Sequence, residues 1–322
     1  MISKQCLSVS QLVKTFPSKK LWGKRNIFTA VNGISFSLHE GEILGFLGTN
    51  GAGKTTTIQM LLGLMTPTSG SIEYFGLPFH AHAREILKTV TFASTYVSLP
   101  DKLTIYENLD IYGRLYDMPN VQRKERIAYL LKLFQMWDIR DKDTGVLSAG
   151  QTSRVMLAKA FLPRPKIILL DEPTVALDPH IAFEIRAFIV QQQKEYGASI
   201  LFTSHNMNEV TQMCDRILVL QRGTIIADST AQQLASSVKT ARVHLLMDEH
   251  NAQKGVAYAQ AQRLIFCLNE KSLEIDVQEH ELPALLHALA LNGIQYTNIY
   301  IDVPTLEDYF IHISKQQREV NT

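Results

Sequence analysis

Cysteine is scarce in this 322-residue chain. Cys6, Cys214 and Cys267 are odd in number and far apart, so they form neither a disulfide ladder nor the paired spacing of a metal knuckle. A reducing compartment is the simplest reading. Long apolar runs are absent too. The longest, such as Ile167 to Leu170 and Ile217 to Leu220, are strand-sized, far below the roughly 18 residues that read as a bilayer-crossing helix. The opening MISKQCLSVS lacks the apolar stretch of a secretory signal. The expectation is a cytoplasmic chain that needs a spanning partner if it works at a membrane. Net charge is nearly nil, with 32 basic against 31 acidic residues, which argues against a nucleic-acid coat held by counterion release. Hydrophobic residues at 46% and charged residues at 20% are globular values that exclude a disordered or fibrous chain.

What is present changes character along the chain. Leu7, Val9, Leu12 and Val13 start one strand; Ile34, Phe36 and Leu38 alternate with Ser35, Ser37 and His39 in another. Between them PSKKLWGKRNIF gathers Lys19, Lys20, Lys24 and Arg25 around Trp22 with no acid. It reads as a solvated hairpin tip or as a contact with a lipid surface or partner. GEILGFLG is a short buried strand, and TTTIQMLLGLM has helical spacing with Ile58, Leu61, Leu62 and Met65 on one face. Residues 104 to 161 are mostly helical. PKIILLDEP, a helix, ASILFTSH and a second helix follow, the alternation of a parallel α/β sheet. Residues 231 to 322 hold seven basic and eleven acidic residues and alternate strand-like with helix-like segments, which predicts a separate small α+β domain.

Residues 48 to 55 are Gly48, Thr49, Asn50, Gly51, Ala52, Gly53, Lys54 and Thr55, with Thr56 next. They fit the phosphate loop G-x-x-x-x-G-K-[ST] between a strand and a helix. Its glycines let successive N–H groups turn inward onto phosphate oxygens, and the helix start adds partial positive charge. Lys54 offers a cation to the β- and γ-phosphates and Thr55 a hydroxyl to Mg2+. Asp171 ends the apolar strand IILLD, the end at which ligands bind in open α/β sheets, and is placed to hold Mg2+. Glu172, beside it, can orient or deprotonate an attacking water.

Residues 147 to 151 are L-S-A-G-Q, followed by a helix and then the strand of Asp171. With these motifs in this order, residues 1 to about 230 resemble the nucleotide-binding subunits of ABC (ATP-binding cassette) transporters. The resemblance implies an α/β P-loop NTPase core with an antiparallel β subdomain and a helical subdomain at about residues 88–160, plus the α+β accessory domain at 231–322. It implies that Phe16, in K-T-F, stacks on adenine, although a strand-end core role is the other reading. It implies that Ser148, Ala149, Gly150 and Gln151 form the signature loop, which meets ATP on the opposite subunit. Asp178, in A-L-D, falls in the loop between the two sites, and His205, in T-S-H, is the switch histidine contacting the γ-phosphate. Lys54, Glu172 and His205 are then the catalytic residues, Thr55 and Asp171 the metal-binding ones, and ATP with Mg2+ the cofactors.

One phosphate loop and one signature cannot close a site alone, so a second nucleotide-binding subunit, identical or related, is implied. An integral membrane permease is implied as the other partner, and no nucleic acid. Two departures stand out. Ala149 replaces the signature's first glycine, which is tolerable unless that position needs positive φ. Thr95 stands where family members usually carry a glutamine; its shorter side chain offers one polar group instead of two. Slow hydrolysis is therefore expected, an idea that fails if Thr95→Gln leaves turnover unchanged. P-T-L-E-D-Y-F, residues 304 to 310, resembles the ending of ATPase subunits that pair with ABC-2-type exporter permeases. The expected function is ATP-driven export through such a permease; the alternative is a soluble ATP switch or regulatory subunit with low turnover.

Overall fold

The computed structural model describes residues 4–19, 25–94, 97, 99–238, 240–269, 272–302, 304–311 and 313. Thr95, and Lys20, Trp22 and Lys24 of the basic stretch, lie outside them. The chain divides into two compact units, Met1–Thr230 and Ala231–Thr322. Among the described residues no helix is long and apolar enough to cross a membrane.

In the first unit, strands Gln5–Lys19 and Arg25–His39 form an antiparallel hairpin, extended on one side by Ser69–Tyr74 and Leu77–Pro78. Alternation decides its faces. Leu7, Val9, Ile34, Phe36 and Leu38 are buried, while the polar residues between them point away. The second sheet is six-stranded, in the order Thr224–Ser229, Arg216–Gln221, Ile43–Leu47, Ser199–Ser204, Ile167–Asp171, Val90–Ser94. All neighbours in it are parallel except the first pair. Ile43–Leu47, Ile167–Asp171 and Ser199–Ser204 are buried at every residue, as a sheet covered on both faces requires.

The two sheets share one core, in which Ile58, Met60 and Leu61 of helix Lys54–Leu61 meet Leu12, Val31, Leu44 and Phe46. Phe36 and Phe46 pack edge to face with centroids 4.8 Å apart. Arg216 clamps the same junction. It donates to Glu42 at 2.7 Å, to Asp228 at 2.8 Å and to the Ser37 carbonyl at 2.6 Å. The helix after the phosphate loop stops at Leu61, two residues before Gly63 at φ +70°, so Met65 lies beyond it.

The helical segment is narrower than residues 88–160. Val90–Ser94 is a strand of the main sheet, as its buried Val90 and Ala93 require, and helices begin at Ile105–Leu115, followed by Asn120–Leu133 and Ala149–Phe161. Thr104 and Glu107 form a capping box at the first of these, and Ser148 and Gln151 at the last.

The second unit is a four-stranded antiparallel sheet in the order Ile265–Asn269, Ser272–Gln278, Thr240–Leu246, Asn298–Asp302. Helices Glu249–Ala261 and Leu282–Leu291 cover one face, where Val243, Leu245, Leu273 and Ile275 pack against Ala252, Leu285 and Leu289. The contact is close enough that a Cβ on Gly255 would come within 2.5 Å of Leu273 Cδ2. Residues 306–311 are helical, with Thr305 and Asp308 exchanging hydrogen bonds at the start.

Candidate functional site

The loop from Gly48 to Gly53 connects strand Ile43–Leu47 to helix Lys54–Leu61. Gly51 and Gly53 have φ of +80° and +108°, a backbone that L side chains rarely adopt. Gly48 and Gly53 are also needed for space. A Cβ there would stand 2.4 Å from the Leu220 carbonyl and 2.7 Å from the Ala30 carbonyl, respectively. The loop lines an open cleft of about 360 Å3 with Phe28, Ala30, Lys54, Thr55, Thr56 and Glu172.

At its floor the strand ends meet. Lys54 Nζ donates to the Gly48 carbonyl at 2.6 Å and lies 3.4 Å from Glu172 Oε1. Glu172 Oε2 is 3.0 Å from His205 Nδ1. Lys54, Glu172 and His205 therefore form one string, with the lysine and glutamate buried and the imidazole half exposed. Glu172 sits at φ +50°, a strained conformation for a non-glycine residue. Its N–H is held by Thr203, through the carbonyl at 3.2 Å and the hydroxyl at 3.0 Å.

Asp171 lies on the other side of the same strand end. Its Oδ1 accepts from Thr203 Oγ1 at 2.7 Å and from Thr55 Oγ1 at 3.4 Å. Burial pushes its carboxyl above the usual aspartate range, against the lowering effect of those hydroxyls. Asp171 Oδ2 is buried with no hydrogen-bond partner. A buried carboxylate oxygen left over beside a threonine hydroxyl is the oxygen donor set of a hard divalent cation, so these residues fit Mg2+. Among the described residues no cluster of three His, Cys, Asp or Glu could hold a metal by itself.

The signature residues lie elsewhere. Ser148 caps helix Ala149–Phe161, and none of Ser148, Ala149, Gly150 and Gln151 lines the cleft. Ala149 opens the helix without a positive φ, so alanine in place of glycine costs no strain there. A Cβ on Gly150 would approach the Ala176 carbonyl at 3.0 Å, which places the signature against the loop leading to Asp178. Asp178 is exposed at the N-cap of helix Pro179–Tyr196.

Two features carry no local sequence signal. The cleft is lined by Phe28; Phe16 is its registered partner across the hairpin, with Lys14 Nζ 5.3 Å from its ring. Buried Glu209 accepts from Thr174 at 2.8 Å, Ser204 at 3.1 Å and Arg186 at 3.0 Å. It thereby ties the loop after Glu172 to the strand end before His205.

A parallel sheet, a phosphate loop and an acidic strand end converging on one cleft define a P-loop nucleoside triphosphatase. Residues 31–175 match the family described as ABC transporter. The chain is 30% identical to a Nod factor export ATP-binding protein I of Rhizobium sp. (strain N33), over 94% of this chain and 96% of that one. It is 31% identical to a bacitracin transport ATP-binding protein of Bacillus licheniformis, over 95% of this chain and 98% of that one. A solved ATP-binding subunit of an ABC transporter superposes with a TM-score of 0.65 at 25% identity, covering 72% of this chain and 92% of that one. The chain belongs to the ATP-binding subunits of ABC transporters, and it is an ATPase.

Proposed function

We propose that this subunit binds MgATP in the cleft and powers export through a separate ABC-2-type membrane permease, docked on the inner face of the cell membrane. A second nucleotide-binding subunit completes the working form. The export reading is supported by the relatives named for Nod factor export and bacitracin transport. The residues P-T-L-E-D-Y-F support the ABC-2 assignment. The placement of the signature outside the cleft supports a site completed by a second chain.

The observation that carries the chemistry is the string Lys54–Glu172–His205 beside Asp171, whose Oδ2 lacks a partner. Loop N–H groups and Lys54 hold the phosphates. Glu172 accepts the proton of the attacking water, and its position between an ammonium and an imidazole keeps the carboxylate oriented. His205 holds the γ-phosphate as the switch histidine. When bound by Thr55 and Asp171, Mg2+ supplies charge neutralisation at the phosphates. Ser148, Ala149, Gly150 and Gln151 serve the partner's nucleotide, and Asp178 lies between the two sites.

Phosphate release by the purified chain tests this reading. Glu172→Gln keeps nucleotide binding and loses about 100-fold or more of turnover, the worth of a general base. Wild-type turnover in that variant contradicts the assignment.

A further inference from the structure

The sheet of the second unit ends on one side in strand Ile265–Asn269, reading I-F-C-L-N. It is the one strand of that sheet with no charged residue, within a unit of seven basic and eleven acidic residues. It pairs with Ser272–Gln278 over five continuous positions without a bulge. Among the described residues no strand pairs with its outer side, and Ile265 is 72% exposed and Leu268 43%. Natural sheets blunt such edges with lysine, proline, bulges or covering elements, because unpaired N–H and C=O groups recruit another strand. The opposite edge, Asn298–Asp302, ends in Asp302, which His244 holds at 2.7 Å.

We propose that this edge pairs with the same strand of a second copy, joining two four-stranded sheets into one across a two-fold axis. An uncharged strand carries no like-charge penalty when it pairs antiparallel with its own copy. Centred on Cys267, the middle residue, the pairing sets Phe266 opposite Leu268 of the second copy and Ile265 opposite Asn269. Phe266 already packs on the unit's core, so Leu268 joins that core on pairing. Cys267, on the face bearing its register partner Glu274, then meets its own counterpart on the axis. Residues opposed in an antiparallel pair have Cα atoms about 4.5–5.5 Å apart, inside the roughly 4.4–6.8 Å that a disulfide spans. Cys6 is buried and Cys214 partly so, which leaves Cys267 as the exposed thiol. This goes beyond the ATP-driven pairing of cassettes proposed above, and the test omits nucleotide so that the two can fail separately.

The full chain is examined without nucleotide by sedimentation at micromolar concentration and by mild oxidation with copper–phenanthroline. The expected result is a dimer that cross-links through Cys267. Cys267→Ser keeps the dimer and loses the cross-link. Cys267→Lys, which sets two ammonium groups face to face at an exposed position, weakens dimerisation by up to about fivefold. A cysteine placed at exposed Gln260 in the Cys267→Ser chain stays uncross-linked, which separates pairing from collision. A monomer, a cross-link that survives Cys267→Ser, a cross-link of equal yield from position 260, or a dimer unmoved by Cys267→Lys overturns the proposal.

Discussion

Replacing Thr203 by valine removes one hydroxyl and little volume, and it touches the carboxylate of Asp171 and the backbone N–H of Glu172. The hydroxyl donates to Asp171 Oδ1 at 2.7 Å and accepts from the Glu172 N–H at 3.0 Å. The first bond is charge-assisted and fully buried, and its loss leaves Asp171 with only the 3.4 Å contact to Thr55. The second helps hold Glu172 at φ +50°, although the Thr203 carbonyl at 3.2 Å remains. A hydrogen bond to a buried charge contributes about 1.5–3 kcal/mol. For a unit of this size each kcal/mol shifts the midpoint by roughly 2–4 °C, so nucleotide-free thermal unfolding falls by about 3–12 °C. Loss of a group that orients a metal-binding carboxylate lowers turnover by roughly 10–100-fold. Thr203→Ser keeps the hydroxyl and stays near wild type in both assays. The reasoning is refuted if Thr203→Val matches wild type in turnover and unfolding temperature.

Other perturbations follow from the same geometry. Gly48→Ala puts a Cβ 2.4 Å from the Leu220 carbonyl and costs about 1–3 kcal/mol in denaturant unfolding, with loss of nucleotide binding; a stable, binding-competent variant contradicts the packing. Phe28→Ala raises the KM for ATP roughly tenfold with little change in kcat, the worth of one base stacked on a ring. The same measurement on Phe16→Ala decides which of the paired rings carries the adenine. Burial alone would raise the carboxyl of Glu42, but Arg216 and the His39 N–H hold it below the ordinary value of 4.5. A depressed carboxylate contributes stability that is full above pH 4.5 and lost as pH falls through the lower folded value. Urea midpoints between about pH 3 and 6 therefore fall less steeply for Glu42→Gln than for wild type.

Much of this architecture was legible because its signals are local. The alternation of Ile34, Phe36 and Leu38, the glycines of the phosphate loop, and four apolar residues running into Asp171 each report a backbone requirement within a few positions. The capping box of Ser148 and Gln151 is likewise written in four residues. Groups that act across the fold were not legible. Thr203 reads as one more strand residue until parallel register sets it beside Asp171. Phe28 ends the basic stretch and reaches the cleft from a hairpin that pairs it with Phe16. Glu209 lies on a helix, and its three partners come from three other segments. The five residues of Val90–Ser94 carry little periodicity, and their place in the sheet depends on Ile167–Asp171 alongside them.

The most direct test of the central claim is stoichiometric co-purification. The tagged full chain is drawn from gently solubilised native membranes with ATP present, and its partners are identified and quantified. The account predicts a polytopic membrane protein in roughly equal amount. Ribosomes, DNA or the chain alone would contradict it and leave an ATPase that drives no transport.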